Sequence, residues 1–381
     1  MTAPLKVAVV GVGIGKSHLE AYAKLPREFE VVAVCDLDFE KATTVAAQFG
    51  IKRAVPRIED LFKDGFVDDA LVDNALVDDA LDIVDLCTPP FTHRALIAQA
   101  LAAGVHVICE KPLVGSLADA DAIARAAAVA KGQLFPIFQY RFGNGLARLR
   151  HLQAKGFAHT AYLTTIETSW RREAKYYAVP WRGKWATELG GCCLTHALHA
   201  HDILCHVNGR IKTVFAQLAT RVNDIEVEDC AAISVKMENG SVATLAVTLG
   251  AVDEISRLRF MFSDLTVESA GTNPYRPGND PWIFKGRTAE VDAAVTAALA
   301  DFVPSREAFE GQLEHIHATI VDGAPPPVSL DDARQSLELI TAIYHSGATG
   351  EAVTLPIPPD HPRYGSWVPE SETFARAAFG G

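Results

Sequence analysis

The chain has 381 residues, 49% of them hydrophobic and 22% charged, which is ample core material and points to two domains. A net charge of −12 and a pI near 5.5 exclude nucleic acid and anionic membrane surfaces as main partners, because both need clustered lysine and arginine. No apolar run approaches the roughly 18 residues of a membrane span, and the start, MTAPLKVAVVGVG, carries no basic-then-apolar leader, so a cytoplasmic location is expected. The seven cysteines (35, 87, 109, 192, 193, 205 and 230) are odd in number, and three lie in or beside strand-like runs. They read as reduced, buried thiols and not as a disulfide framework.

The first third alternates strand and helix patterns. KVAVVGVG is a strand ending in glycines, and KSHLEAYAKL follows with helical spacing. FEVVAVCDLD is a second strand, and KATTVAAQFG a helix that stops at Gly50. LDIVDLCTPP is a third strand, and HRALIAQALAAG a helix ended by Gly104. VHVICEKP, the helix LADADAIARAAAVAKG and the strand QLFPIFQYRF complete the series. Alternation at this pitch predicts right-handed βαβ units and a parallel sheet. Residues 67–81 repeat a VDDAL-like pentapeptide three times. That is too short for a solenoid, and it reads as a local duplication with a solvated acidic face.

The glycine loop VVGVGIGKSH lies between the first strand and the first helix. Gly11, Gly13 and Gly15 let a pyrophosphate approach the backbone, and the helix turns its free N–H groups and positive dipole end toward it. The third glycine comes one residue earlier than in G-x-G-x-x-G. Asp36 ends the second strand, placed to accept hydrogen bonds from the adenosine ribose. Asp38 adds negative charge and no arginine follows Asp36 directly, so NAD is favoured over NADP. CTPPFTH places Thr88, Pro89 and His93 at the carboxyl edge of the sheet, where open α/β folds bind ligands. Glu110 and Lys111, in CEKP, close a neighbouring strand on the same edge. Lys111 there can hydrogen-bond a substrate hydroxyl and help move its proton.

Together GVGIGKSH, TPPFTH, AAGVHVICEKPL and FQYRF resemble the Gfo/Idh/MocA family of NAD(P)-dependent oxidoreductases, which includes glucose–fructose oxidoreductase and inositol dehydrogenases. The likeness continues through WRGKWATELGGCCLTHALHAHDIL, ENGSVATL and the tail beyond FEGQLEHIH. It implies a Rossmann domain, residues 1–138, followed by an α+β domain with a large open, mostly antiparallel sheet, residues 139–381. That domain would hold the substrate pocket, its C-terminal tail packing back over the body, and would form a homodimer or homotetramer through the sheet. The resemblance extends the cofactor contacts to Ile14 and Gln139. Aligned on Gly190-Gly191, it places the family's histidine on His199, a later acid on Asp202, and the family's catalytic acid position on Thr195. A threonine hydroxyl does not ionise as a carboxylate does, and His196 stands beside it.

The second half agrees on its own terms. Strand-like segments follow one another, and MENGSV carries the Asn-Gly hairpin signal. A single helix, CLTHALHAHDILCHVNG, interrupts them. It sets His196, His199, Asp202 and His206 three or four residues apart; His201 and His206 read as satisfied core residues. Three cysteines and four histidines between Cys192 and His206 have ligand-like spacing for zinc, but there is no Cys-x-x-Cys and the family uses this helix without metal, so no metal is expected. Tyr140, Arg141, Trp170, Arg171, Arg172, Tyr176, Tyr177, Trp181 and Arg182 form an aromatic and basic set suited to sugar faces and hydroxyls. The expected reaction is hydride transfer between nicotinamide and a ring hydroxyl or ketone of a sugar, cyclitol or sugar derivative. His199 would serve as base and Lys111 would hold the oxygen. A dinucleotide-binding sensor without turnover is the alternative, favoured by Thr195.

Overall fold

A computed structural model describes residues 3–62 and 81–369. The repeat over 67–81 falls on residues 63–80, outside those described, except for Leu81. The described chain forms two compact units. The first comprises residues 1–113, 121–137 and 312–330. The second comprises 114–120, 138–311 and 331–381. A single cut after residue 138 therefore misses an exchange of segments: 114–120 belong with the second unit and 312–330 with the first.

The first unit is a six-stranded parallel sheet. Its strands are β1 (Leu5–Val10), β2 (Phe29–Cys35), β3 (Arg53–Val55), β4 (Ile83–Leu86), β5 (His106–Cys109) and β6 (Leu134–Pro136). Their order is β3-β2-β1-β4-β5-β6, that of a doubly wound dinucleotide fold. Val7, Val9, Val34, Ile83, Leu86 and Ile108 are wholly buried, as strands covered on both faces require. Helices α1 (Gly15–Tyr22), α2 (Phe39–Phe49), α3 (His93–Ala102) and α4 (Leu117–Val129) follow the predicted segments. Gly50 ends α2 at φ +70°, the left-handed cap that only glycine adopts readily. The late segment 312–330 joins this unit through buried Leu313 and Ile316. Gln312 Nε2 donates to the Pro136 carbonyl at 2.8 Å, and His317 packs edge-on to Phe29.

The second unit is built on an eight-stranded sheet of β7 (Ala161–Arg171), β8 (Ile211–Ala219), β9 (Cys230–Met237), β10 (Val242–Thr248), β11 (Gly250–Phe262), β12 (Leu265–Ser269), β13 (Trp282–Gly286) and β14 (Val353–Thr354). The order is β13-β12-β11-β7-β10-β9-β8-β14, antiparallel except where β7 and β10 pair in parallel. Asn239 and Gly240, the latter at φ +89°, turn the chain between β9 and β10. Alternation along β8, β9 and β10 buries one face and exposes the other. The final stretch packs within this unit: Ile357 and Trp367 are buried, and Trp367 Nε1 donates to the Leu189 carbonyl at 2.7 Å. All seven cysteines are unpaired thiols. Among the described residues, no helix is long and apolar enough to cross a membrane.

Candidate active site

In the first unit, the glycine loop leaves β1 with Gly11 at φ +90°, its N–H donating to the Cys35 carbonyl at 2.7 Å. A Cβ on Gly11 would stand 2.7 Å from the Cys87 carbonyl, and one on Gly15 would stand 3.0 Å from Val9 Cγ1. These two glycines thus permit close packing between strands and helix. At Gly13 an added Cβ meets nothing, and Gly13 and Ile14 are exposed. α1 begins at Gly15 with no side-chain cap and no acid in its first turn, which keeps its positive end suited to an anion. Asp36 lies at the loop's flank. Its Oδ2 accepts the Val12 N–H at 2.9 Å and its Oδ1 the Asp38 N–H at 3.0 Å. Each oxygen keeps a second lone pair for a ribose hydroxyl. These residues fit a dinucleotide: open backbone for the pyrophosphate and an acceptor for the ribose.

The ends of β4 and β5 carry the next group. His93 is wholly buried, with Nδ1 2.8 Å from the Pro112 carbonyl and Nε2 2.9 Å from the Thr88 carbonyl. Burial lowers its pKa, so the neutral ring straps the Thr88 loop or the Pro112 loop with its one donor. Thr88 Oγ1 pairs with Thr92 Oγ1 at 2.7 Å, and Pro89 precedes a single 3₁₀ turn. The Glu110 carboxylate turns inward. It is buried, its Oε1 3.1 Å from His18 Nε2 and its Oε2 accepting the Lys111 N–H at 2.9 Å. Lys111 itself is half-buried.

In the second unit, Gly190 and Gly191 are dictated by packing. A Cβ on Gly190 would stand 2.2 Å from Tyr344 Oη, and one on Gly191 1.9 Å from the Glu228 carbonyl. The predicted single helix is instead broken into Cys192–Thr195 and Leu198–Asn208. Thr195 Oγ1 donates back to the Gly191 carbonyl at 2.9 Å, a bond that bends helices, and lies 2.8 Å from His196 Nδ1. His199 is buried, stacked on Tyr140 at 4.6 Å between ring centroids and edge-on to Phe138 at 5.9 Å. His196 lies against Trp170 and Tyr176. Gln139, on the short turn with Tyr140, has a buried Oε1 without a hydrogen-bond partner among the described residues.

Two expected substrate contacts are instead joined to each other. Arg141 donates to both Asp202 oxygens at 2.6 Å, with Asp332 3.2 Å from the same guanidinium, and Arg141 and Asp202 are buried. His201 is buried as expected, yet neither ring nitrogen has a hydrogen-bond partner among the described residues. The expectation of a satisfied ring is thereby corrected. Arg171 is exposed and pairs with Glu173. The other aromatic and basic residues do cluster. Arg182 lies over Tyr176 at 4.0 Å and Trp181 at 4.3 Å, and Tyr177 packs edge-on to Tyr176. Arg172 lies over Trp170 at 5.0 Å and Tyr176 at 5.1 Å and donates to Glu254 and Tyr275.

Sequence reasoning missed Tyr275, Glu254 and Glu228, which reach these residues from far along the chain, and Glu188, which lies only six residues from its partner Arg182. Glu228 accepts the Gly191 and Cys193 N–H groups and the Tyr344 hydroxyl, each at about 3 Å. Two buried groups have metal-ligand types, His18/Asp85/Cys87 and Cys192/Cys193/Glu228. Burial pushes the Cys87 and Cys192 thiols up.

Comparison with known proteins matches two continuous stretches of the chain. The family "Oxidoreductase family, NAD-binding Rossmann fold" matches residues 5–138, and "GFO/IDH/MocA C-terminal domain" matches residues 146–268. The chain is 25% identical to D-glucoside 3-dehydrogenase of Escherichia coli (strain K12), over 93% of this chain and 98% of that protein. It is 26% identical to D-apiose dehydrogenase of Paraburkholderia graminis, over 92% and 89%. A similar solved structure is the WlbA dehydrogenase from Chromobacterium violaceum in complex with NADH and UDP-GlcNAcA. It superimposes with a TM-score of 0.79 at 26% identity, covering 94% of this chain and 98% of that one.

Proposed function

Because the chain belongs to the Gfo/Idh/MocA family of oxidoreductases, with its NAD-binding Rossmann domain, we propose that it transfers a hydride between NAD and a ring hydroxyl or ketone of a sugar, cyclitol or sugar derivative. The observation that carries this reading is the cradle of Gly11, Gly13 and Gly15 answered by Asp36. The sugar class is supported by the names of the relatives, a glucoside dehydrogenase and an apiose dehydrogenase. NAD, when bound, supplies the hydride acceptor or donor at its nicotinamide.

Gly13, Ile14 and the start of α1 hold the pyrophosphate, and Asp36 takes the ribose hydroxyls. The Asp36 and Asp38 charges repel a 2′-phosphate, which selects NAD over NADP. Lys111 donates a hydrogen bond to the substrate oxygen and stabilises negative charge there. His199, fixed by its stack on Tyr140, takes the hydroxyl proton during oxidation and returns it during reduction. Thr195 orients His196 and does not replace the missing carboxylate. The Arg172/Tyr176/Trp181/Arg182 cluster is the sugar-contact surface, its aromatic faces matching C–H faces and its guanidinium groups matching hydroxyls. The outward face of the eight-stranded sheet joins subunits into a dimer or tetramer.

The test is NAD with a panel of aldoses, inositols and sugar acids, followed by NADH absorbance, with Lys111→Ala and His199→Ala alongside. At least one polyol is expected to turn over, with the rate falling about 10²-fold or more in each variant. NAD binding without turnover on the whole panel in either direction would instead favour the sensor reading that Thr195 suggests.

A further inference from the structure

One wholly buried polar group of the first unit lies outside the catalytic assignment above. His18, on α1, is wholly buried. Its Nδ1 is 2.8 Å from Asp85 Oδ2 on β4, and its Nε2 is 3.1 Å from Glu110 Oε1 at the end of β5. Tyr22, one turn along the same helix, donates its hydroxyl to Asp85 Oδ2 at 2.9 Å, and the Cys87 thiol reaches Asp85 Oδ1 at 3.6 Å. The titratable groups facing His18 among the described residues thus include Asp85, Cys87 and Glu110 from the sheet and Tyr22 from its own helix.

A neutral imidazole has one donor and one acceptor. Both neighbours here are carboxylate oxygens, which only accept when ionised. The ring satisfies both only when both nitrogens carry protons. Burial works to lower the His18 pKa, but Asp85 and Cys87 carry it well above the ordinary histidine value. The Glu110 carboxylate, held on Oε1 by His18, accepts the Lys111 N–H on Oε2 at 2.9 Å. The chain of contacts therefore runs from β4 through the helix that follows the glycine loop to the backbone of Lys111.

We propose that His18 is a positioning residue: held as an imidazolium between Asp85 and Glu110, it locks the Glu110 carboxylate and, through it, the backbone from which Lys111 projects. This rests on the dehydrogenase reading only for the role given to Lys111. The lock itself is a property of the folded protein, and it couples α1, at whose N-terminus the dinucleotide's phosphates would sit, to the strand end that carries the lysine.

Two measurements on the full chain need no substrate. In ¹⁵N-histidine-labelled protein, the His18 signals are those lost in His18→Gln. Both ring nitrogens are expected to stay protonated through pH 8, with Glu110→Gln moving the titration to lower pH. A neutral ring at pH 7 would overturn the proposal. In reductively ¹³C-methylated protein, the Lys111 resonance, identified by its loss in Lys111→Arg, is expected to shift its position and titration in His18→Gln. An unmoved Lys111 resonance would also overturn it. Stoichiometric zinc in the purified protein, lost in His18→Gln, would make the cluster a metal site and sink the lock. If the polyol panel yields a substrate, His18→Gln should lower kcat about 10²-fold while leaving the KM for NAD nearly unchanged. A lower melting temperature with unchanged kcat would reduce His18 to a structural role. Failure of the panel leaves both spectroscopic tests standing, so the two readings fail separately.

Discussion

His201 sits wholly buried on the Leu198–Asn208 helix with neither ring nitrogen bonded among the described residues. Burial lowers its pKa to about 3. The unfolded chain takes up a proton near pH 6.5 that the folded chain refuses until about pH 3, so this residue's contribution to stability is lost as pH falls through that window. His201→Leu removes both the unmet polar atoms and the proton linkage. Its unfolding free energy should exceed that of the parent by more at pH 5 than at pH 8, a difference of roughly 2 kcal/mol. An offset equal at both pH values would contradict this account. His18 is the converse case: its ring is equally buried, but two carboxylates face it, and its pKa moves up instead of down. Burial alone therefore says little about a histidine's charge until its neighbours are known.

Among the elements, Glu228 has the most connections. It precedes β9 and ties the Cys192–Thr195 turn to Tyr344 on the Leu330–Thr349 helix. Burial raises its pKa to about 7, although the Cys193 and Gly191 N–H groups and the Tyr344 hydroxyl work against the rise. The folded state then keeps a proton that the unfolded state loses above about pH 4.5, so stability falls as pH rises from 4.5 to 7. In thermal denaturation, Glu228 should contribute a downward slope of roughly 3 kcal/mol of stability between pH 5 and 8, read as the difference between parent and Glu228→Gln because His201 contributes with the opposite sign. Glu228→Gln should flatten that slope; an unchanged slope would place the titration elsewhere.

Such a tie was not legible in the sequence, because Glu228 lies 35 residues from Cys193 and 116 from Tyr344. His18 is likewise 67 residues from Asp85 and 92 from Glu110. What was legible was local. Apolar runs marked five of the first sheet's strands, and glycines marked the ends of α2 and α3. β3 escaped because its three residues, Arg53–Val55, offer no period to read. The break at Thr195 escaped because helical spacing continues through it, while the hydroxyl's bond to the Gly191 carbonyl does not show in the spacing. Arg141 and Asp202 were each recognised as polar groups near the site, but not as partners of each other. Their side chains meet across 61 residues of chain.

For the whole molecule, the exposed face of the eight-stranded sheet carries Phe215, Val242 and Ile283 among polar side chains. Isolated apolar residues of this kind are ordinary on a monomer, and a shared interface is the alternative they test. Light scattering coupled to size exclusion should return a dimer or tetramer mass, and Phe215→Glu with Val242→Glu should lower it. A monomeric mass for the parent would remove the sheet as an assembly surface.

The exchange of segments between the units has a consequence for the order of synthesis. All six strands of the first sheet have been synthesised once residue 136 is made, yet Gln312, Leu313, Ile316 and His317, which complete that unit, follow only after seven of the eight strands of the second sheet, β7 to β13. A nascent chain must therefore hold an uncovered patch around Phe29 and Pro136 while β7 to β13 are being translated. The first domain to emerge is among the last to be finished, and the chain's interval of exposure to chaperones and proteases is set by the length of its second domain.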